Sequence, residues 1–216
     1  MINKSKENFF SIIIPHLNEW YYLDIMLDSI FTYFKYNNFE IIIVDDWSTY
    51  ASDLNFCYQH MLKDKIKLFK KKSLGIANAK NFWAIMAKWN ILCFFDWHMY
   101  FNIDILTILN NLFNTYLEID LLQPQITSHN NKSVEGNIYK IKDLSLNSWW
   151  EEINFNHKIE IYETPNIIWA ATIVKKSVFS KLWWFNQFFE VWWSEDLEFS
   201  MRAWLYWYKS FLTNKI

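Results

Sequence analysis

The sequence predicts an α/β fold in which a mostly parallel sheet is flanked by helices on both faces. Three observations carry this expectation. Short uninterrupted apolar runs recur along the chain, stretches with helical spacing alternate with them, and several runs stop in polar clusters, as buried parallel strands do at the rim of a sheet. With 216 residues, the chain is long enough to bury one sizeable core and is expected to form a single domain, residues 1–216.

Phe9 to Pro15 is a continuous apolar run stopped by proline, and reads as the first buried strand. Leu23, Met26, Leu27, Ile30 and Phe31 then recur at three and four residues, which makes one apolar stripe on a helix. Glu40 to Val44 is a second buried strand, closing in Asp45-Asp46. A helix over Ala51 to Met61 leads to a third strand, Ile66 to Phe69. A further helix, Ile76 to Lys88, feeds the fourth strand, Ile91 to Phe95, which closes in Asp96-Trp97-His98. Ile103 to Tyr116 is strongly amphipathic and reads as a helix, followed by a strand over Ile119 to Ile126. Thr127 to Glu163 is rich in Asn, Ser and Lys, and reads as an insertion or mobile loop. After Pro165 come a strand through Val174, a short helix to Leu182, an aromatic loop and a last helix from Glu195 to Leu205. No internal repeat and no linker divides the chain.

Charge and composition exclude several classes. Lys and Arg number 21 against 23 Asp and Glu, a formal net charge of -2, so no global positive field recruits nucleic acid or an anionic membrane. No stretch approaches the roughly 18 uninterrupted apolar residues of a membrane-spanning helix. Met1 to Asn8 is polar and leads to no small-residue cleavage site. A cytoplasmic protein, at most peripheral to a membrane, is expected. Cys57 and Cys93 lie in apolar patterns with no partner motif, and read as buried thiols.

Three strands end in clusters able to do chemistry: Pro15-His16-Leu17-Asn18-Glu19, Asp45-Asp46 and Asp96-Trp97-His98. In an open parallel sheet ligands bind beyond the carboxyl ends of the strands, so these clusters should converge on one crevice. A single aspartate after a strand more often caps a turn, but three such clusters on one rim favour a site. Asp96 and His98, two residues apart in an extended segment, would point to the same side and could share a metal. A second constellation spans Trp192 to Arg202. Ser194 can cap a helix whose first turn carries Glu195 and Asp196, where the helix dipole favours negative charge. Glu198 and Arg202 then neighbour each other one turn on. Spacing alone describes a well-made helix start equally well; functionally, a carboxylate held there under an aromatic wall can serve as a general base toward a hydroxyl.

These residues bear a resemblance. Ser11-Ile12-Ile13-Ile14-Pro15-His16-Leu17-Asn18-Glu19, then Ile43-Val44-Asp45-Asp46-Trp47-Ser48-Thr49, then Ser73-Leu74-Gly75-Ile76-Ala77-Asn78-Ala79-Lys80-Asn81, then Asp96-Trp97-His98 resemble, in order, the motifs of family 2 nucleotide-sugar glycosyltransferases with the Rossmann-like A-type glycosyltransferase fold. The Trp192 to Arg202 segment is similar to the tryptophan, glycine, x, Glu-Asp motif of galactosyl- and polypeptide N-acetylgalactosaminyltransferases. The similarity runs from Phe10 to Tyr208.

The resemblance implies a nucleotide-binding half, residues 1–100, and an acceptor and catalytic half, residues 101–216. It implies a metal-dependent hexosyltransferase of polysaccharide biosynthesis, moving a sugar from a nucleoside diphosphate donor to a hydroxyl of a saccharide, lipid-linked or protein acceptor. By the same resemblance Asp46 contacts the nucleoside base with Asp45 supporting the strand end, and Pro15, Glu19 and Trp192 line the substrate pocket. Lys80 faces the donor, with a solvated helix lysine as the plainer reading. Asp96 and His98 hold Mn²⁺ or Mg²⁺, Asp196 is the base and Glu195 holds sugar hydroxyls. Inversion at the anomeric carbon is expected; a retaining N-acetylgalactosaminyltransferase-like reaction and a non-catalytic nucleotide-sugar-binding module stay open. In metal-dependent members a further histidine beyond the last motif often completes the site, and here the sequence stops at Ile216.

One departure is systematic. At the usual frequency of about 7%, a chain of this length would hold roughly 15 glycines; this one has 2, beside 14 tryptophans. Tryptophan stands where the family carries glycine: Trp20, Trp47, Trp89, Trp183, Trp184, Trp193 and Trp207, with Trp83 and Trp97 as further members of the set. The chain is also rich in Ile, Lys, Asn and Phe, which have A/T-rich codons. A UGA codon read as glycine by the source organism and written here as tryptophan would explain both facts.

Overall fold

The computed structural model describes residues 7–49, 63–71, 75–127, 134–135, 138–141, 148–151, 160–165, 167, 171–188 and 195–216. Its strands are β1 (Phe10–His16), β2 (Phe39–Asp45), β3 (Ile66–Lys70), β4 (Ile91–Phe95), β5 (Leu121–Pro124), β6 (Ile126–Thr127), β7 (Val134–Glu135), β8 (Ile138–Ile141), β9 (Ser148–Glu151), β10 (Ile161–Glu163), β11 (Ala171–Lys175) and β12 (Ser210–Thr213). The helices are α1 (Trp20–Tyr33), α2 (Ile76–Met86), α3 (Ile105–Thr115), α4 (Lys176–Lys181) and α5 (Glu195–Leu205).

Eight strands form the central sheet in the order β10-β12-β5-β11-β4-β1-β2-β3. The β1–β2, β2–β3, β1–β4 and β5–β12 pairs are parallel, while β11 runs antiparallel to β4 and β5, and β10 antiparallel to β12. The alternation of side chains along β1 splits the core between two faces. Phe10, Ile12 and Ile14 pack with Leu23, Met26, Leu27 and Ile30 of α1 and with Leu106, Leu109 and Phe113 of α3. Ile13 on the other side joins Val44, Ala77 and Ala84, and a ring cluster of Phe94, Phe179, Phe185 and Phe199. β2 and β4 are buried along their whole length, which is why both read as continuous apolar runs rather than alternating ones. Cys93 is a buried free thiol in β4, pushed well above its ordinary pKa by desolvation.

The expected helix over 51–61 and Cys57 lie outside the described residues. Within 127–163, expected to be irregular, β6 pairs with β7, β8 with β9, and β10 joins the main sheet. The expected strand 119–126 is divided at Gln125, whose N–H donates to Thr213 O at 2.9 Å, between β5 and β6. β12 was not anticipated: four residues after a helix carry too short a pattern to read alone, and they become a strand by docking beside β5.

The tryptophan set has a distinctive geometry. Five described non-glycine residues have positive φ, and four of them are tryptophans: Trp47 (74°), Trp183 (55°), Trp184 (66°) and Trp207 (64°), beside Asn18 (58°). Of the others in the set, Trp20, Trp83 and Trp89 bury an indole Nε1 with no hydrogen-bond partner among the described residues.

Candidate functional site

β1 pairs in parallel with β2 on one side, His16 opposite Asp45, and with β4 on the other, Phe10 opposite Ile91. The three polar clusters therefore leave the carboxyl ends of three adjacent strands. Strand order also reverses here, with β2 and β3 extending to one side of β1 and β4 to the other. Such a switch point opens a crevice between the diverging loops.

The first two clusters are laced together. Asn18 N–H donates to Ser48 Oγ at 2.8 Å, and Thr49 N–H donates to Asn18 Oδ1 at 2.8 Å. Asp45 is fully buried; its Oδ1 accepts Ser48 N–H at 2.7 Å and Lys70 Nζ lies 3.6 Å from Oδ2. Its carboxylate thus fastens the turn after β2 from beneath. Asp46, next along, is half-buried, and its N–H donates to His16 O at 2.9 Å. Pro15 is buried within β1 and Glu19 is half-exposed just before α1.

His16 is the hub of this rim, and the sequence reading assigned it no role. Its Nε2 accepts Glu19 N–H at 3.0 Å, Ser48 Oγ is 3.4 Å from Nδ1, and the Trp20 ring centroid is 3.9 Å away. Burial pushes its pKa down to about 4, against the upward pull of Asp45 and the Glu19 backbone contact. The imidazole is neutral at pH 7, as an acceptor for Glu19 N–H must be. Because the unfolded chain binds the proton more readily, His16 contributes stability that is complete above about pH 6.5 and is lost as pH falls toward 4, a change on the order of 3 kcal/mol. The urea midpoint should fall across this window, and His16→Gln should remove that part of the slope.

Asp96 and His98 follow β4, but not in the extended form from which a shared side was expected. Met99 N–H donates to Asp96 O at 3.3 Å, closing a turn in which strand alternation no longer applies. Asp96 is half-buried and His98 exposed. Among the described residues no group of three or more His, Cys, Asp or Glu side chains is placed to hold a metal ion. A carboxylate and an imidazole on one open turn are nevertheless a donor set suited to Mn²⁺, with room for ligands from a bound phosphate group.

The second constellation approaches from α5. Glu195 is buried at its start, and Oε1 accepts a 2.9 Å ion pair from Lys80 Nζ on α2. Lys80 is buried too, so the plainer reading of a solvated helix lysine does not describe it. Burial would lower the lysine's pKa, but Glu195, then Asp96, then Asp196 pull it above its ordinary value. One cation thus feels the carboxylates of both constellations. Asp196, half-buried, shares the first turn of α5 with Glu195 and Glu198. Arg202 grips Glu198 through Nε and Nη2, each at 2.7 Å, as the spacing anticipated. It also donates to the carbonyls of Leu182 and Trp184, tying α5 to the preceding aromatic turn. Asn81 clamps the same turn, receiving Phe185 N–H at 2.9 Å and donating to Phe185 O at 2.7 Å. The sequence reading missed this clamp, whose only signal was a polar residue beside Lys80 on an otherwise apolar helix face. Trp192 and Ser194 lie outside the described residues.

The sequence model of glycosyl transferase family 2 matches residues 11–214. No curated protein matches the chain. Among solved structures, GalNAc-T7 with UDP, GalNAc and Mn²⁺ is 19% identical with a TM-score of 0.79, covering 95% of this chain and 42% of that one. TarS from S. aureus in complex with UDP-GlcNAc is 20% identical, TM-score 0.72, with coverages of 96% and 56%. The mannosyltransferase PcManGT from Pyrobaculum calidifontis, with GDP-Man and Mn²⁺, is 14% identical, TM-score 0.71, with coverages of 98% and 56%. The chain thus spans about two fifths to three fifths of these proteins, and shares their fold.

Proposed function

The chain belongs to glycosyl transferase family 2, has the A-type glycosyltransferase fold, and we propose that it moves a hexosyl group from a nucleoside diphosphate sugar to an acceptor hydroxyl with inversion. The observation that carries this reading is the charge cluster on Lys80, which couples Asp96 at the end of β4 to Glu195 and Asp196 at the start of α5. This supports one crevice served by a donor-binding carboxylate and a base-type carboxylate.

Asp46 and Glu19 border the part of the rim that would take the nucleoside, over a floor made by Pro15 and Asp45. Asp96 and His98 would hold Mn²⁺ or Mg²⁺, which when bound neutralises charge on the diphosphate leaving group. Asp196 takes the proton of the acceptor hydroxyl as its oxygen attacks the anomeric carbon. The bond from that carbon to the diphosphate breaks, the nucleoside diphosphate leaves with the electron pair, and one in-line displacement inverts the configuration. Residues 1–100 would supply the donor side and 101–216 the acceptor side, with the saccharide, lipid-linked or protein acceptor approaching from the latter. No helix among the described residues is long and apolar enough to cross a membrane; a cytoplasmic setting, at or near a membrane, is part of the same proposal.

The test is direct. Incubation with Mn²⁺ and UDP-GlcNAc or GDP-mannose, donors found in related structures, should release UDP or GDP, faster with an accepted saccharide. The anomeric configuration of the product then separates inversion from the retaining reaction. Donor binding without turnover would instead support the binding-module reading. Asp96→Asn should abolish Mn²⁺-stimulated release while leaving the unfolding midpoint near that of the parent; full turnover in chelator would overturn the metal's role.

A further inference from the structure

We propose that Lys80 is a positioning residue that holds Glu195, and with it the first turn of α5 that carries Asp196, against α2. The inference rests on the transferase reading above. Lys80 and Glu195 side chains are only 9% and 6% exposed and meet at 2.9 Å. A lysine placed this deep is retained only where opposite charge compensates its desolvation. Glu195 supplies that charge in direct contact, and with the fields of Asp96 and Asp196 added it holds the lysine above its ordinary pKa despite burial. Phe185 closes the other side, its ring centroid 5.5 Å from Nζ, and is itself fixed by Asn81, the next residue on α2. Two consecutive residues of α2 thus hold the aromatic turn before α5 and the first residue of α5, while the same helix packs on β1 and β2. The lysine acts by fixing the start of α5, and a displacement of about 1 Å at such a site can cost roughly 10²-fold in rate.

The prediction is a split between kcat and donor affinity. Lys80→Met should lower kcat about 10²-fold, with the dissociation constant for UDP-GlcNAc and Mn²⁺, read by calorimetry, within about threefold of the parent on this argument. Lys80→Arg, which keeps the charge, should recover most of the loss. If Lys80→Met does not fold, Lys80→Gln, neutral but able to donate to Glu195, carries the same measurement. Weakened donor binding with kcat preserved would overturn the inference and make Lys80 a donor ligand. Unchanged kcat, or no recovery with arginine, would also overturn it. In either case the parent's own turnover leaves the transferase reading standing, whereas a glycine-restored parent inactive with every nucleotide sugar would refute that reading itself.

A second inference rests on independent geometry. Four of the five positive-φ non-glycine residues are tryptophan, although tryptophan supplies only 14 of 216 residues. A bulky side chain is among the worst occupants of the left-handed region. Trp183 and Trp207 also hold their indoles 69% and 93% exposed, so packing offers no compensation there. At Trp20, Trp83 and Trp89 the indole N–H is buried without a partner among the described residues, contrary to the habit of buried tryptophan. We infer that the natural protein carries glycine at these seven positions, through UGA codons read as glycine. The gene should show UGA at all seven, and peptides of the protein from its own organism should have the mass of glycine there. UGG codons, or tryptophan-bearing peptides, would overturn the inference.

Discussion

Asp196→Asn is expected to lower kcat by about 10²- to 10⁴-fold, the usual contribution of a general base, while leaving donor binding near the parental level. The amide keeps the shape and loses only the ability to take a proton. Asp196 sits half-buried in the first turn of α5, where its Oδ1 accepts Leu197 N–H at 2.7 Å and the helix dipole favours negative charge. Glu195, its neighbour, cannot readily replace it, because Oε1 is engaged by Lys80 at 2.9 Å inside the fold. The contrast is Asp46→Asn at the turn after β2, which should weaken donor binding and leave kcat comparatively intact. Rapid-mixing kinetics separates the two effects, since a loss confined to the chemical step lowers kcat and kcat/KM together. Lost donor affinity at Asp196→Asn with kcat preserved would make this carboxylate a sugar ligand and favour the retaining reaction.

What could be read from the sequence followed the strength of the local pattern. β1, β2 and β4 are buried on both faces, so their apolar runs are unbroken and their ends lie within one residue of those anticipated. α5 was legible because an acidic first turn and a Glu198–Arg202 pair mark its start and its exposed face. β10 and β12 were not, because strands of three and four residues gain their definition from the neighbour on which they dock. The same distinction holds for the site. That Asp46 and Asp96 follow the carboxyl ends of the two strands flanking β1 could be read from topology alone, whereas the turn at Asp96 to Met99 and the fate of Lys80 depended on tertiary contacts. A lysine beside an asparagine on a helix looks the same whether it meets water or a glutamate 115 residues away. His16 was passed over for the same reason, since its burial beside Ser48 and Asp45, some thirty residues on, sets its state.

The largest stability effect is expected from restoring glycine at Trp47, Trp183, Trp184 and Trp207. A non-glycine residue in the left-handed region costs roughly 1–2 kcal/mol, and the added freedom of glycine in the unfolded chain takes back about 0.5–1 kcal/mol. The net gain is then about 0.5–1 kcal/mol per site, or roughly 2–4 kcal/mol for four, against total stabilities of about 5–15 kcal/mol. Trp47, Trp183 and Trp207 are 53%, 69% and 93% exposed, so little packing is lost with their indoles. Trp183 and Trp184 are adjacent and will not add independently. Urea unfolding should show a higher midpoint for the fourfold glycine variant, and alanine at the same four positions is the control. Alanine removes the indole but keeps a Cβ, so it retains most of the left-handed penalty and should recover little. Equal midpoints for the glycine and alanine variants would mean that side-chain bulk, and not backbone conformation, sets the cost. The buried positions should behave in the opposite way. Trp20 and Trp83 are 3% and 4% exposed and pack into the two core clusters, so glycine there removes an unpartnered N–H but leaves a cavity that the surrounding side chains must close. Restoration at the turns should therefore stabilise at once, and restoration in the core only as far as His16, Phe69 and their neighbours repack.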